Sequence, residues 1–441
     1  MEENISKLNL IYEQFALNIQ SIQLFFKKFS ILALEEDKSI LISKKEYMEN
    51  ALKKTFGQKA FEEIMAKVEI AEENEIVEDD VEFENVSDTK DTTKEQNELE
   101  EPSDSNYTKS NIFDLMIQME KAPKLQTKNF EILASSTFLI LNNYFEFLFA
   151  DLLTFHFTSN RNLIGEKNIN ISLNELKNYL TIEEAYDDFL FKEVEKLLLE
   201  MTFEDIKNYF KKLDVSLSED FINWDFINEV RERRHLVVHN NSIVNKKYIT
   251  KSNNPYNLQI GDIAKIDAKY LNKSIVEIQI AGILLIMNCW GKWEKKYATD
   301  AIMELLILTF NLLKEKRNKT ALKICEYVEK NIKPSNDDEE NCIIRIKFNY
   351  CISLKRIGEK KVLEKKLKEL RVGTMSPIFK IAKHILCDEY EIAISLFKQS
   401  IVADDFNIDE YLEWPIFEEI RINEQLNINA IEQFKEIKLL N

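Results

Sequence analysis

Two histidines and three arginines stand together in the sequence RERRHLVVH, residues 231–239. The chain has only 4 histidines, so this segment holds half of them. Cleavage of RNA by internal attack needs a base for the 2′-OH proton, an acid for the leaving 5′-oxygen and a fixed cation for the charge on the phosphorane. Histidine titrates near neutral pH, and arginine presents a rigid fork of donors to phosphate oxygens. These residue types therefore offer phosphodiester cleavage that needs no metal ion.

The charge of the chain is −18 in total, but it is unevenly distributed. Between Glu69 and Asp104, 16 acidic residues stand against Lys90 and Lys94. From residue 231 to 251 the balance reverses, and Glu232 is the only acidic residue among six basic ones: Arg231, Arg233, Arg234, Lys246, Lys247 and Lys251. Such a basic segment can hold a few phosphates even in an acidic protein, although a solvated basic helix end explains the charge equally well.

The residues around the cluster predict one helix that carries it. Ser218 is suited to be the N-cap, and the helix is expected to end near Asn240 and Asn241, because asparagine tolerates the left-handed conformation. On a regular helix a five-residue step is about 140° of rotation and about 7.5 Å of rise. Arg234 and His239 then do not share one face. Either the helix end bends, or a second copy of the chain completes the site across a two-fold axis.

The segment from Arg234 to His239 resembles the signature of the HEPN superfamily, in which an arginine and a polar residue are followed, after three or more positions, by a histidine. The flanking residues agree with the resemblance, although Ser242 replaces a glycine that is common in the family. They are Glu229 and Arg231 before the arginine, Asn240 and Asn241 after the histidine, and then Ile243 and Val244. The resemblance covers Ile112 to about Trp293.

The resemblance implies an α-helical bundle that forms homodimers and is often a metal-independent endoribonuclease, commonly a toxin or abortive-infection effector. It makes Arg234 and His239 the catalytic pair and His235 the auxiliary polar residue. The expected partner is RNA, and neither a cofactor nor a metal is expected. The predicted substrate-binding residues are Arg231, Arg233, Asn240, Lys246 and Lys247.

Two other interpretations of the cluster stay open. His235 and His239 are four residues apart and could share a metal ion, but the glutamate of an H-E-x-x-H motif is missing and the arginines repel a cation. Alternatively, the arginines cap a helix and pair with Glu229 and Glu232. The domain would then only dimerise, as in family members that have lost catalysis.

The composition predicts a mainly α-helical protein, because 441 residues include only 7 glycines and 6 prolines. We expect four regions: an N-terminal helical segment (1–68), an acidic flexible linker (69–110), a HEPN-like helical bundle (111–296) and C-terminal repeats (297–441). The acidic linker could also lie over the basic site and mask it.

The C-terminal region resembles degenerate tetratricopeptide-like repeats, because apolar helices come in pairs with short breaks at Gly358 and Asp388. Ala321 and Ala393 occupy matching contexts 72 residues apart, about two repeats of 36. Stacked repeats bury a shared core and commonly bind a partner, so a protein regulator or trigger is expected there. An ordinary helical bundle is the alternative.

The motifs that are absent, the cysteines and the apolar stretches indicate where the protein is located and exclude some functions. No G-x-G-x-x-G or Walker motif and no C-x-x-C pair occurs, so nucleotide binding through those loops and zinc knuckles are excluded. The five cysteines lie in apolar stretches and are expected to be buried thiols, and the N-terminus has no signal-peptide pattern. The apolar stretches Phe130–Phe155 and Ile278–Trp290 are interrupted or short, which predicts core helices rather than membrane spans. We therefore expect a cytoplasmic protein.

Overall fold

The computed structural model describes residues 6–59, 62, 128–160, 172–373, 375–403 and 405–438. The chain divides into two compact units, Phe25–Ala134 in one and Met1–Leu24 with Ser135–Asn441 in the other. The predicted acidic linker (69–110) and a further predicted helix, Ile112–Lys121, lie outside the described residues. The prediction of a mainly helical protein is confirmed: the described residues contain no strand, only an isolated antiparallel bridge between residues 243 and 263.

Helices account for most of the described residues. In chain order they are α1 (Lys7–Phe56), α2 (Asn129–Ser159), α3 (Leu173–Leu176), α4 (Ile182–Glu200), α5 (Phe203–Lys212), α6 (Trp224–His239), α7 (Lys246–Ser252), α8 (Ala268–Trp293), α9 (Ala298–Lys314), α10 (Asn318–Asn331), α11 (Asp337–Ile357), α12 (Lys360–Glu369), α13 (Pro377–Leu386), α14 (Tyr390–Ser395), α15 (Phe397–Val402), α16 (Ile408–Glu413), α17 (Glu418–Ile422) and α18 (Glu424–Lys438). Short 3₁₀ turns at Lys295–Tyr297 and Pro415–Phe417 join some of them.

The unit Phe25–Ala134 contains most of α1 and the beginning of α2. The carboxylate of Asp37 accepts hydrogen bonds of 3.0 Å from the backbone N–H groups of Asn129 and Phe130. The first N–H groups of a helix have no partner within the helix, so this carboxylate caps the start of α2. The ring of Phe130 packs against that of Phe26, with centroids 6.1 Å apart.

Helix α8 is the central element of the larger unit. Nearly all its side chains between Ile278 and Trp290 are buried, because neighbouring helices cover it on every face. Gly282 is required for this packing: a Cβ at that position would lie 2.2 Å from Cζ of Phe15 on α1. The first turns of α1 therefore belong to the same core as α8. Helix α8 begins at Ala268 because Asp267 caps it, accepting a 2.7 Å hydrogen bond from a backbone N–H.

Two helices are long and apolar enough to cross a membrane by length and composition, α2 and α8. Within the structure, 78% of the most apolar window of α8 and 50% of that of α2 are buried. The high burial of α8 is typical of a core helix, which is what the interrupting polar residues predicted.

The predicted helix pairs of the C-terminal region are present. Helix α11 ends at Gly358, with φ 91°, and α13 is followed by Asp388, with φ 63°. Both predicted breaks are therefore left-handed turns. Ala321 and Ala393 are both fully buried. The pairs continue from the preceding bundle, since the hydroxyl of Tyr327 on α10 donates a 2.8 Å hydrogen bond to Asn288 on α8.

The C-terminal segment packs on the preceding helices through Phe417. This side chain is fully buried against Phe397 and Phe406, with centroid distances of 5.8 and 5.1 Å. Four cysteines are buried as predicted, but the prediction is wrong for Cys387, which is exposed. Cys387 is the C-cap of α13, where the chain turns at the surface.

Candidate active site on helix α6

Helix α6 carries the cluster, and its bounds follow from its caps. The prediction that Ser218 is the N-cap is wrong, because Ser218 has a φ of 48° and the helix begins only at Trp224. The true N-cap is Asn223, whose side-chain oxygen accepts a 3.0 Å hydrogen bond from the backbone N–H of Phe226. The C-terminal end agrees with the prediction, since α6 ends at His239 and Asn241 is left-handed, with φ 47°.

The cluster residues that face outward form an arc on the last two turns of α6. This site arc consists of Arg231, Arg234, His235 and His239, and it spans about 140° of the helix circumference. The rings of His235 and His239 stack with centroids 6.2 Å apart and planes inclined by 20°. The helix continues through His239 without a break. Arg234 and His239 therefore lie at opposite edges of the arc, and a bend does not bring them together.

Helix α2 supplies a carboxylate to the arginines of the arc. Nη2 of Arg231 is 3.9 Å from Oε1 of Glu146, and Nη2 of Arg234 is 3.9 Å from Oε2 of the same residue. Both guanidinium groups are mostly buried, and that of Arg231 lies 4.8 Å from the centre of the Phe203 ring. These positions are partly fixed by the protein before any ligand binds.

His235 is strongly affected by its surroundings. Burial and then the positive charges of Arg234, Arg231 and Lys247 lower the pKa of His235 from the usual 6.5 to about 4. Both causes disfavour the imidazolium form. His235 is therefore neutral at neutral pH in the protein as it stands, and it can accept a hydrogen bond or a proton. A bound anion would oppose this shift, because its negative charge stabilises the imidazolium.

Arg233 does not belong to the site, so its predicted contact with the substrate is contradicted by its position. The Arg233 side chain is 5% exposed, and its Nε donates a 2.7 Å hydrogen bond to Glu229, which is fully buried. Nη1 donates to the backbone carbonyl of Lys265 at 2.9 Å. The hydroxyls of Tyr248 and Tyr270 also donate to Glu229, at 2.6 and 2.7 Å. Arg233 therefore joins α6, α7 and α8 from within the core.

The remaining predicted substrate-binding residues lie just beyond α6. The Asn240 amide donates a 2.5 Å hydrogen bond to the carbonyl of Ile243, so this side chain stabilises the turn after α6. Lys246 and Lys247 are exposed on the first turn of α7. Lys247 is close enough to His235 for its charge to contribute to the lowered pKa of that imidazole. The two lysines remain available to an anion at the edge of the arc.

Two residues of this surface were not predicted from the sequence, Glu146 and Phe203. Glu146 was visible only as an acidic residue that interrupts the apolar stretch of α2, and such an interruption could have signalled a partner for a nearby cation. Phe203, at the start of α5, gave no signal that distinguishes it from an ordinary core residue.

The other two histidines, His156 and His384, lie away from helix α6 in the sequence and contact other residues. His156 is buried, and its ring lies 4.7 Å from that of Trp293. His384 pairs with Glu389 through Nδ1 at 2.6 Å. Within the part of the chain that the structure describes, no group of three or more His, Cys, Asp or Glu side chains is placed to hold a metal ion.

Comparison with known proteins gives no assignment for this arrangement. The chain matches no family model, no curated protein and no solved structure.

Proposed function

We propose that the chain is a HEPN-type endoribonuclease that cleaves RNA without a metal ion. The observation that supports this is the site arc itself: two partly buried arginines and two histidines side by side at one helix end, beside two exposed lysines of α7. Arginine binds phosphate oxygens, and histidine can move a proton near neutral pH. The arc thus brings together the group types that the resemblance in sequence implies.

In the proposed reaction the 2′-oxygen of a ribose attacks the adjacent phosphorus and the bond to the 5′-oxygen breaks. The products are a 2′,3′-cyclic phosphate and a 5′-OH, so the proton removed from the 2′-OH is balanced by the one given to the leaving oxygen. His239 would move these protons, and Arg234 would stabilise the charge that develops on the phosphorane. His235, neutral before the substrate binds, would position the phosphate.

The active form is proposed to be a homodimer. Arg234 and His239 lie at opposite edges of the arc, and α6 is regular between them. A two-fold axis at this surface would bring the arginine edge of one copy to the histidine edge of the other, and would supply two histidines for separate acid and base roles.

The remaining regions suggest how such an enzyme is used. The helix pairs from α9 to α15 are proposed to be tetratricopeptide-like repeats that bind a protein regulator or trigger. A cytoplasmic toxin or antiviral abortive-infection effector is the biological role that the family resemblance implies.

The second candidate function is a catalytically inactive HEPN dimerisation module. The contact of Glu146 with both arginines favours it, because paired cations are also what a purely structural helix end would contain. In that case the repeats alone would perform the function by binding a partner.

Inducible expression of wild type, Arg234→Ala and His239→Ala, followed by mapping of RNA ends, separates the two candidates. The nuclease proposal expects cyclic-phosphate ends in wild type and a loss of about 10²- to 10³-fold in each variant. Co-expression of the two variants should restore cleavage in part, above either one alone, because a mixed dimer contains one intact arginine and one intact histidine although it lacks the second histidine. Toxicity that is equal in all three strains would contradict the nuclease.

A further inference from the structure

Glu146 faces both arginines of the site arc at a distance too long for hydrogen bonds. Each of its oxygens is 3.9 Å from one guanidinium nitrogen. Hydrogen bonds to carboxylates are about 2.7–2.9 Å when the donor is charged. The carboxylate therefore attracts and orients the two side chains, but their N–H groups are not saturated by it.

Donors on both arginines are left without a partner. Nη1 of Arg231 and Nε of Arg234 are buried, and neither makes a hydrogen bond to any described residue. Buried donors without acceptors are rare in folded proteins and often mark a site for an ion or ligand. An oxyanion between the two guanidinium groups would supply the acceptors.

One of the two arginines, Arg231, also contacts an aromatic ring. The guanidinium carbon of Arg231 lies 4.8 Å from the centre of the Phe203 ring, and that ring packs in turn on Trp224 and Phe149, with centroids 5.7 and 6.3 Å apart. A cation–π contact of this kind attracts the guanidinium to the ring and so restricts its movement. Arg231 is thus held by a ring and by Glu146.

Arg231, Arg234 and Glu146 together carry one net positive charge. Arg231 and Arg234 face the single carboxylate of Glu146, while Arg233 is neutralised in the core by Glu229. The charge of Glu232 also acts on Arg231, but among the described residues Glu232 forms no ion pair with either arginine, and burial is the largest influence on its own pKa, which it raises. A phosphodiester carries one negative charge and a terminal phosphate carries nearly two. The balance therefore favours an internal phosphodiester.

We propose that Glu146 is a positioning residue that holds Arg231 and Arg234 side by side as a receptor for a single phosphodiester group. The part that concerns RNA rests on the proposed nuclease function; the binding of a phosphodiester does not. Glu146 orients the two guanidinium groups and limits the positive charge around them. The site would therefore bind one phosphodiester linkage of a nucleic-acid chain in a defined position.

The test uses the full-length protein and thymidylyl-thymidine, which has one phosphodiester and no 2′-OH and so cannot be cleaved. Binding is followed by NMR through the His235 ring resonances. Glu146→Gln should bind this dinucleotide about three- to tenfold more tightly, because a repelling charge close to the phosphate is removed. Arg231→Ala should weaken binding about tenfold. Asp151→Asn, which removes the same charge from an exposed position on α2, should change binding less than twofold.

Cleavage of RNA provides the second readout. In Glu146→Gln, KM should fall while kcat falls at least about tenfold, because the arginines bind anions more strongly but are less well placed for the transition state. A residue with only a structural role would not separate the two constants in this way.

Several results would overturn the proposal. These are a wild-type protein that does not bind the dinucleotide, equal binding by Glu146→Gln and wild type, undiminished binding by Arg231→Ala, or an unchanged kcat in Glu146→Gln. If binding follows the expected order but the wild type cleaves no RNA, the nuclease function is wrong while the phosphodiester receptor stands. Failure of the function and failure of the receptor are therefore distinguishable.

Discussion

Replacement of Arg233 by alanine should destabilise the larger unit by about 4 kcal/mol. The change removes the cation from Glu229, which is fully buried, and leaves that carboxylate with two tyrosine hydroxyls as donors. Removing one partner of a buried ion pair typically costs about 3–5 kcal/mol. Because the two tyrosine hydroxyls still donate to the carboxylate, we take the lower end of this range, about 3 kcal/mol. The cation–π contact with Tyr270, whose ring centre is 3.9 Å from the guanidinium carbon, is lost as well and adds roughly 1 kcal/mol.

Urea unfolding followed by tryptophan fluorescence measures this loss, since Trp224, Trp290 and Trp293 lie on α6 and α8. With a slope of roughly 3–4 kcal/mol per molar urea, the midpoint should fall by about 1 M. Arg234→Ala is the matched control. It removes the neighbouring arginine, whose ion pair at 3.9 Å involves a half-exposed carboxylate, so it should cost about 1 kcal/mol or less.

The two variants should also differ in function. Under the proposed nuclease function, Arg233→Ala should keep RNA binding and cleavage within about tenfold per folded molecule, whereas Arg234→Ala should lose cleavage and keep stability. The double variant Glu229→Leu with Arg233→Met should be more stable than Arg233→Ala, because it leaves no buried carboxylate without a cationic partner. Wild-type stability together with lost RNA binding in Arg233→Ala would refute this reasoning and return Arg233 to the substrate site.

Two further predictions concern packing and pH. Gly282→Ala should destabilise the larger unit by about 1–3 kcal/mol, because its Cβ would clash with the Phe15 ring. Gly291→Ala on the same helix, where a Cβ would have no atom within 4 Å, should stabilise the unit by about 0.5–1 kcal/mol. Thermal unfolding of both variants measures the two effects. The pKa of His235 is lowered from 6.5 to about 4 in the folded state, so its contribution to stability is complete above about pH 6.5 and is lost as the pH falls toward 4. The free energy of unfolding of wild type should therefore fall more steeply than that of His235→Gln over this range, and parallel curves would contradict the lowered pKa.

Much of the helical architecture could be predicted from the sequence because it depends on local signals. The end of α6 near Asn241 and the breaks at Gly358 and Asp388 all follow from residues that tolerate a left-handed backbone. The predicted start of α6 was wrong because two residues, Ser218 and Asn223, can each act as an N-cap. Ser218 has a suitable side chain, but the segment after it turns back, and the indole of Trp224 donates a 2.9 Å hydrogen bond to the carbonyl of Leu217. Tertiary contacts of this kind are not encoded in capping preferences.

The different positions of the adjacent arginines could have been predicted, but not from charge. Arg233 is seven residues from Phe226 and three from Val230, so all three share the buried face of α6. Arg234 is rotated by about 100° from that face. The helical phase thus places Arg233 on the buried face and Arg234 on the outer face. Of their two acidic partners, the sequence could indicate only Glu229. Glu229 is one turn away on the same helix, whereas Glu146 reaches the site only through the packing of α2 against α6.

Two independent features of α6 favour completion of the site by a second copy. The first is the angular separation of Arg234 and His239 on a helix that does not bend. The second is Val238, which lies between Arg234 and His235 on the same arc and is 46% exposed. An apolar side chain in the middle of a charged surface gains nothing from water, but at a two-fold axis it would be covered while the charged edges met across it. The same geometry that keeps one copy from forming the pocket would therefore make the dimer both the more stable state and the active one.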